Sequence, residues 1–130
     1  MTKQEHINYW KVSAEKDWEV VQDLFNSQKY LHCLFFAHLV LEKLCKAHWV
    51  KDNSDDYPPR LHNLIRIITT TKLSISEEDL QFLEEFNDFQ LEGRYPDYTM
   101  NIYKICNFEF TKEQLSRVEK IRSCLLTNLS

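Results

Sequence analysis

A run of good helix formers from Tyr30 to Val50 constrains the fold more than any other part of the chain. It contains no glycine or proline and few β-branched residues, so it predicts about twenty residues of α-helix. Its apolar side chains lie almost all the way round a helical wheel: Leu31, Leu34, Phe35, Phe36, Leu39, Val40, Leu41 and Leu44. Since a helix that is apolar on every side is buried on every side, we predict the central helix of a bundle, enclosed by its own chain or shared with a partner.

A membrane-spanning helix is the competing interpretation of this run, and the polar side chains within it argue against a span. They interrupt the run before roughly eighteen apolar residues accumulate. The interrupting residues are His32, His38, Glu42, Lys43, Lys46 and His48. We therefore expect no contact with a membrane.

Composition predicts one ordered, helix-rich domain over residues 1–130, with a single glycine and three prolines. The net charge of −4 argues against a broad nucleic-acid surface, although it leaves room for a small basic cleft. The four cysteines form no CxxC pair, and the polar N-terminus lacks the apolar core of a signal peptide. These features predict reduced thiols in a cytoplasmic protein, and no pattern indicates a metal site or a cofactor.

One helix is indicated before the central helix and one short helix after it. The first covers roughly residues 4–26, where Thr2 and Glu5 have capping-box spacing and the tryptophans are interpreted as core anchors. A short third helix follows over residues 61–68, and the threonine run at 69–71 ends it.

Two further helices complete the predicted bundle. One begins at Ser76 and runs to Glu92, where the only glycine of the chain, Gly93, stops it. Residues 99–110 are ambiguous between a helical turn and an extended piece, and a capping-box spacing at Thr111 predicts a last helix to about residue 128. The sequence thus predicts an all-α, up-and-down bundle of four long helices and one short one.

Glu42 is out of place on the central helix. It lies four residues after His38 and seven after Phe35, within an apolar face. A buried carboxylate there needs a cationic or hydrogen-bonding partner, which Lys46 or an arginine from elsewhere could supply. The alternative is an ordinary surface Glu–Lys pair near an exposed helix end.

The segment after Gly93 predicts a turn that carries a candidate binding site. It brings a guanidinium, phenols and a carboxylate together within ten residues: Arg94, Tyr95, Asp97, Tyr98 and Tyr103. Arginine binds phosphate bidentately and tyrosine stacks on bases, so the segment indicates a small anion or nucleotide site. The structural alternative, which can hold at the same time, is that Arg94 pairs with Glu42 or Asp97 while the tyrosines pack over the turn.

We expect the Arg94 turn to lie against the central helix, with Arg94 paired to Glu42. The opening is predicted to be lined by Tyr95, Tyr98 and Lys43 or Lys46, although a solvated face is the alternative for these lysines. We also predict a homodimer, because four helices cover only part of the apolar surface of the central helix.

Several short motifs, in this order, resemble the HEPN domain in its small, stand-alone prokaryotic form. They are Glu42-Lys43 with Lys46-Ala47, His62 at the opening of helix three, and Arg94-Tyr95-Pro96. The resemblance implies a helical bundle that dimerises. It also implies one of two roles. The first is a metal-independent ribonuclease whose motif has a histidine four to six residues after an arginine. The second is the partner of a minimal nucleotidyltransferase, in which the domain is either the substrate-binding half or a toxin modified on a motif tyrosine.

The ribonuclease motif is incomplete in this sequence. At the required spacing after Arg94 stand Thr99, Met100 and Asn101, and no histidine occurs beyond His62. Asn101 could orient an RNA but cannot titrate, whereas cleavage needs a group that passes a proton near neutral pH. The sequence therefore favours a subunit that binds a nucleotidyltransferase partner, a nucleotide or RNA phosphate. A ribonuclease centred on Arg94 across a dimer and a purely structural dimeric module remain as alternatives.

Overall fold

Helices make up most of the chain in the computed structural model, which describes residues 1–97 and 99–129. They are α1 (Lys3–Asn26), α2 (Tyr30–Asp52), α3 (Leu64–Ile68), α4 (Glu77–Phe86), α5 (Asp88–Glu92), α6 (Asn101–Ile105) and α7 (Phe108–Thr127). The described residues contain no strand. The predicted all-α class is confirmed, with α1, α2, α4 and α7 as the long helices.

The first two helices form a hairpin along their whole length. The Thr2 hydroxyl accepts a hydrogen bond from the Glu5 backbone N–H at 3.1 Å, which confirms the predicted N-terminal cap. After α1 ends, Gln28 takes a left-handed φ of 62°, and the Lys29 N–H donates to the Leu24 carbonyl at 2.9 Å. This tight reversal sends α2 back along α1.

Helix α2 is the centre of the bundle, as predicted. It packs against α1, α3, α5 and α7, and most of its apolar side chains are buried within one chain, while Tyr30, Phe35, Phe36, Leu39 and Trp49 are half-buried. The chain itself thus covers most of α2, whereas the homodimer prediction assumed that much of the apolar surface of this helix would stay uncovered. The exposed apolar side chains lie elsewhere, mainly at Tyr9, Val12, Tyr57, Leu91, Tyr95, Met100, Tyr103, Ile105 and Phe108. Dimerisation itself stays a prediction.

Helix α3 begins three residues later than predicted and ends where predicted. The Asn63 side chain accepts from the N–H groups of Ile65 and Arg66 at 3.0 and 3.2 Å, so Asn63 is the N-cap. At the other end, the hydroxyls of residues 69–71 each donate to the carbonyl three residues earlier. These local bonds compete with helical ones and end the helix.

The helix predicted from Ser76 to Glu92 is divided at Asn87 into α4 and α5. Gly93 follows α5 as predicted, although its φ of −67° is one that any residue adopts. Its lack of a side chain matters for another reason: a Cβ there would lie 2.7 Å from the Cβ of Phe35. Glycine thus allows the end of α5 to touch α2.

The ambiguous segment before the last helix is mostly helical. Its first part forms α6, whereas the extended alternative for Phe108–Phe110 is wrong. The Asn107 side chain accepts from the Phe110 N–H at 2.8 Å and caps α7. The predicted cap at Thr111 is also wrong, since Thr111 is fully buried within α7.

Candidate functional site

The carboxylate of Glu42 is buried on α2 and has three polar neighbours. Lys46 Nζ donates to Oε2 at 3.1 Å, and His62 Nδ1 lies 3.1 Å from Oε1. His38 Nδ1 lies 3.9 Å from Oε1. The predicted Lys46 partner is confirmed, and the alternative of a surface pair is wrong because the Glu42 side chain is only 6% exposed.

The predicted pairing of Arg94 with Glu42 is wrong. The Arg94 guanidinium carbon lies 5.1 Å from the centre of the Phe35 ring, and Phe35 precedes Glu42 by about two helical turns, or about 10 Å. Asp97 is not its partner either, since Asp97 accepts from the Thr99 hydroxyl at 2.6 Å. Within residues 1–97 and 99–129 no carboxylate lies at ion-pair distance from Arg94, so its N–H donors are available to a ligand.

Asn87 joins His38 to the start of α3. Its Oδ1 lies 3.0 Å from His38 Nε2 and accepts from the Leu64 N–H at 2.9 Å, while its Nδ2 donates to Asn63 Oδ1 at 3.2 Å. Because Oδ1 accepts, His38 Nε2 carries the proton. The break between α4 and α5 therefore coincides with a side chain whose hydrogen bonds tie three elements together.

His38 is held neutral at the centre of this cluster. Burial lowers its pKa, and the hydrogen bond with Asn87 and the charge of Glu42 only partly oppose this effect. His62 and Arg94 are close enough for their charges to lower the pKa of His38 further. The Arg94 turn and the Glu42–His62 pair therefore flank the same buried imidazole.

His62 is the exposed member of the cluster and immediately precedes the N-cap of α3. Half of its side chain is exposed, and its Nδ1 faces the carboxylate of Glu42. A carboxylate only accepts hydrogen bonds, so Nδ1 donates, and Nε2 of the neutral ring is left as an acceptor. The carboxylate thus fixes the tautomer and the orientation of this imidazole.

The two lysines predicted to line the opening are engaged with other protein groups. Lys43 Nζ lies 2.6 Å from Asp17 Oδ2 and donates to the Ser13 hydroxyl at 2.7 Å, which turns this side chain toward α1. Lys46 is buried against Glu42. Neither ammonium group is free beside Arg94, and their role in phosphate binding stays a prediction.

The remaining predicted site residues lie along the turn and α6. Tyr95 is 72% exposed beside Arg94, and Asn101 is the exposed first residue of α6. Tyr103 on α6 lines a different cavity, of about 310 Å³, against the start of α2. Tyr98 lies outside the described residues.

Sequence reasoning missed the contribution of His38, His62 and Asn87. The only signal was that Glu42 on an apolar face required partners. No spacing rule connects Glu42 with His62, twenty residues further on, because the loop after α2 determines their approach. Residues 42 and 62 both appeared among the motifs, but nothing in the sequence indicated that they would meet.

Metal ligands, membrane-spanning helices and cysteine thiols were the other features of interest among the described residues. The described residues contain no group of three or more side chains suited to a metal ion. None of the described helices is both long and apolar enough to cross a membrane. All four cysteines are free, and burial raises the pKa of Cys33 and Cys45 to about 12 and that of Cys106 to about 11, so these three thiols are poor nucleophiles.

Comparison with known proteins gives one match. The family model of the HEPN domain matches residues 7–128, nearly the whole chain. No curated protein and no solved structure matches the chain significantly. Such a domain is consistent with a role in nucleotide or RNA chemistry or in dimerisation. The extent of this match, together with the helical bundle, shows that the chain belongs to the HEPN domain family.

Proposed function

We propose that this protein is a HEPN subunit that binds the phosphate of a nucleotide or RNA at the Arg94 turn and acts with a minimal nucleotidyltransferase partner. The observation that carries this proposal is the exposed Arg94 guanidinium, held over the Phe35 ring with no carboxylate partner among the described residues. A guanidinium supported by a ring keeps its fork of N–H donors free for two phosphate oxygens.

The partner in this proposal is supported by family membership and by Tyr95. In the toxin–antitoxin form of the pairing, the nucleotidyltransferase modifies a tyrosine of the HEPN subunit, and Tyr95 is exposed directly after Arg94. In the other form, the subunit supplies the substrate-binding half. For the homodimer, we propose the exposed apolar side chains of the α5–α7 region as the interface: Leu91, Met100, Tyr103, Ile105 and Phe108.

A binding experiment tests the proposed phosphate site. Anisotropy of a fluorescently labelled single-stranded RNA should report binding, and Arg94→Ala should weaken it about tenfold or more, as expected for a charged hydrogen-bonding group. Arg117→Ala is the matched control, because Arg117 lies over the Phe82 ring at 4.3 Å on another face. Equal affinities for the wild type and Arg94→Ala would remove the site.

The partner is tested by co-purification with a nucleotidyltransferase encoded beside this chain, if the gene neighbourhood contains one. Incubation of the two proteins with ATP followed by mass spectrometry should show an added nucleotidyl group, and Tyr95→Phe should abolish it. A complex that forms without modification would favour the substrate-binding role over the toxin–antitoxin role. Failure of the two chains to co-purify would contradict this part of the proposal.

A ribonuclease is the second candidate function, and His62 is the observation that favours it. His62 Nε2 would take the proton of a ribose 2′-hydroxyl while Arg94 binds the adjacent phosphate. The 2′-oxygen would bond to phosphorus, the bond from phosphorus to the 5′-oxygen would break, and the proton on Nε2 would pass to that leaving oxygen.

Incubation of the pure protein with RNA in EDTA separates the two candidates. Cleavage that survives EDTA, leaves 2′,3′-cyclic phosphate ends and is lost in both His62→Gln and Arg94→Ala would establish the ribonuclease. Binding without cleavage would favour the non-catalytic subunit. Absence of both would leave the structural dimeric module, for which light scattering should give twice the 15.7 kDa chain mass.

A further inference from the structure

A second cavity, with aromatic walls, lies beside the start of α1. Its volume is about 220 Å³, and it lies between the first turns of α1 and the loop after α2. The rings of His6 and Tyr57 meet edge to face with centres 5.3 Å apart, and those of Tyr9 and Trp10 with centres 5.2 Å apart. Met1, Asp56 and Pro58 complete the wall.

This cavity is open, and the loop that forms it is held in place. Tyr57 is 74% exposed and Tyr9 is 58% exposed, so their rings are accessible. Lys3 fixes the loop, because its Nζ donates to the carbonyls of Val50 and Asn53 and to Asp56 Oδ1 at 2.8, 2.8 and 2.6 Å. A ligand would therefore enter a pocket that is already formed, and little ordering would oppose binding.

Lys46 connects this pocket with the Arg94 site. Its Nζ lies 5.5 Å from the centre of the Trp10 ring and 3.1 Å from Glu42, whose other oxygen faces His62. Phe35, beneath Arg94, and Lys46, beside Trp10, lie on one face of α2 at positions about 16 Å apart along the helix. The Arg94 guanidinium, the His62 imidazole and the Trp10 ring of the pocket thus lie near successive positions on one face of α2.

The surrounding charges disfavour a cation in the pocket. The charge of Asp56 is already matched by the hydrogen bond from Lys3, and the N-terminal ammonium group lies near enough to add to this effect, so Asp56 gives the pocket no uncompensated negative charge. A cationic ligand would meet the ammonium groups of both Lys3 and Lys46, one of which already lies close to the Trp10 ring. A nucleobase has an uncharged π-face that stacks on tyrosine or tryptophan.

We propose that the pocket formed by His6, Tyr9, Trp10 and Tyr57 binds an unstacked base of a single-stranded RNA whose phosphate is held at Arg94. The choice of ligand rests on the proposed function. The separation along α2 exceeds the reach of a single nucleoside monophosphate, so the ligand is a strand whose bound base and bound phosphate belong to different nucleotides.

The experiment compares two labelled strands on the intact chain by fluorescence anisotropy. One is a short oligoadenylate RNA, and the other is the same backbone with abasic positions. For the wild type, the abasic strand should bind about 5- to 150-fold more weakly, the range expected for loss of one stacked base. Adenosine monophosphate should bind far more weakly than the oligoadenylate.

Variants at Tyr57 isolate the contribution of the ring. Tyr57→Ala should weaken binding of the oligoadenylate severalfold and leave the abasic strand unaffected, while Tyr57→Phe should behave as the wild type. Tyr57→Leu should weaken binding of the oligoadenylate about as much as Tyr57→Ala, because leucine keeps an apolar side chain but has no π-face. Tyr57 is largely exposed, so circular dichroism should show these variants folded as the wild type.

Each outcome decides the inference. If Arg94→Ala weakens the oligoadenylate while Tyr57→Ala and Tyr9→Ala do not, the base pocket is refuted and the proposed function stands. If the wild type binds neither strand, titration with adenosine, read from the ring NMR signals of Tyr57, decides the pocket alone: a saturable shift supports it and no shift refutes it. Tighter, Tyr57-dependent binding of tetramethylammonium would identify a cation cage and refute the base assignment.

Discussion

Replacing Glu42 by glutamine tests the buried polar cluster directly. The change keeps the shape of the side chain but removes the negative charge that faces Lys46 and His62. Lys46 is only 8% exposed and would be left as a buried ammonium group without a counter-ion. We therefore expect Glu42→Gln to destabilise the fold far more than the loss of an ordinary ion pair.

The magnitude follows from the burial of both partners. Breaking a buried ion pair from one side costs about 3–5 kcal/mol of unfolding free energy. We expect about 3 kcal/mol for Glu42→Gln, at the low end of this range, because the amide oxygen of glutamine can still accept a hydrogen bond from Lys46. With about 2.1 cal/mol/K of unfolding entropy per residue over 130 residues, this corresponds to a Tm lower by about 11 °C.

Urea denaturation followed by circular dichroism measures this change, with two comparison variants. Glu119→Gln removes a carboxylate that is 45% exposed and pairs with Arg122 on the surface, so it should cost less than about 1 kcal/mol. The double variant Glu42→Gln/Lys46→Met removes both buried charges and should recover most of the lost stability. If Glu42→Gln costs no more than Glu119→Gln, or if the double variant is less stable than the single one, the reasoning is refuted.

Four further outcomes are expected from the structure. Burial lowers the pKa of His38 and His48, so the unfolded state binds more protons than the folded state below about pH 6.5. The unfolding free energy should therefore fall on acidification, by up to about 1.4 kcal/mol per pH unit for each group. His48→Gln should reduce this slope in urea titrations. Gly93→Ala should destabilise the fold by about 1–3 kcal/mol in thermal unfolding, because its Cβ would meet Phe35. Asn107→Ala should cost about 1 kcal/mol in the same assay by removing the cap of α7, and a smaller loss would show that Asn107 contributes little. A thiol reagent should modify only Cys124 in the native protein, and rapid modification of a second cysteine would contradict the burial of the others.

The prediction of the bundle depended on short-range sequence patterns, which have the same effect in the folded chain. Apolar periodicity and caps such as Thr2 and Ser76 act within a few residues, so the positions of α1 and α2 and the start of α4 could be predicted closely. The break at Asn87 could not, because it accompanies hydrogen bonds to His38 and to residues of α3 that are distant in sequence. The start of α7 was mistaken because Asn107 and Thr111 both offer plausible caps and only burial distinguishes them.

The candidate site, like the fold, could be predicted only in part from the sequence. From the sequence alone, Glu42 on an apolar face required partners, and Arg94 beside tyrosines indicated an anion site. The sequence offered Lys46 as one partner, but only the tertiary structure decided that His62 is the other and that Arg94 stacks on Phe35 instead. The physical reason is that a charge requires compensation wherever it is buried, a requirement visible in residue type and helical position, whereas the groups that compensate it depend on how loops and helices far apart in the chain pack together.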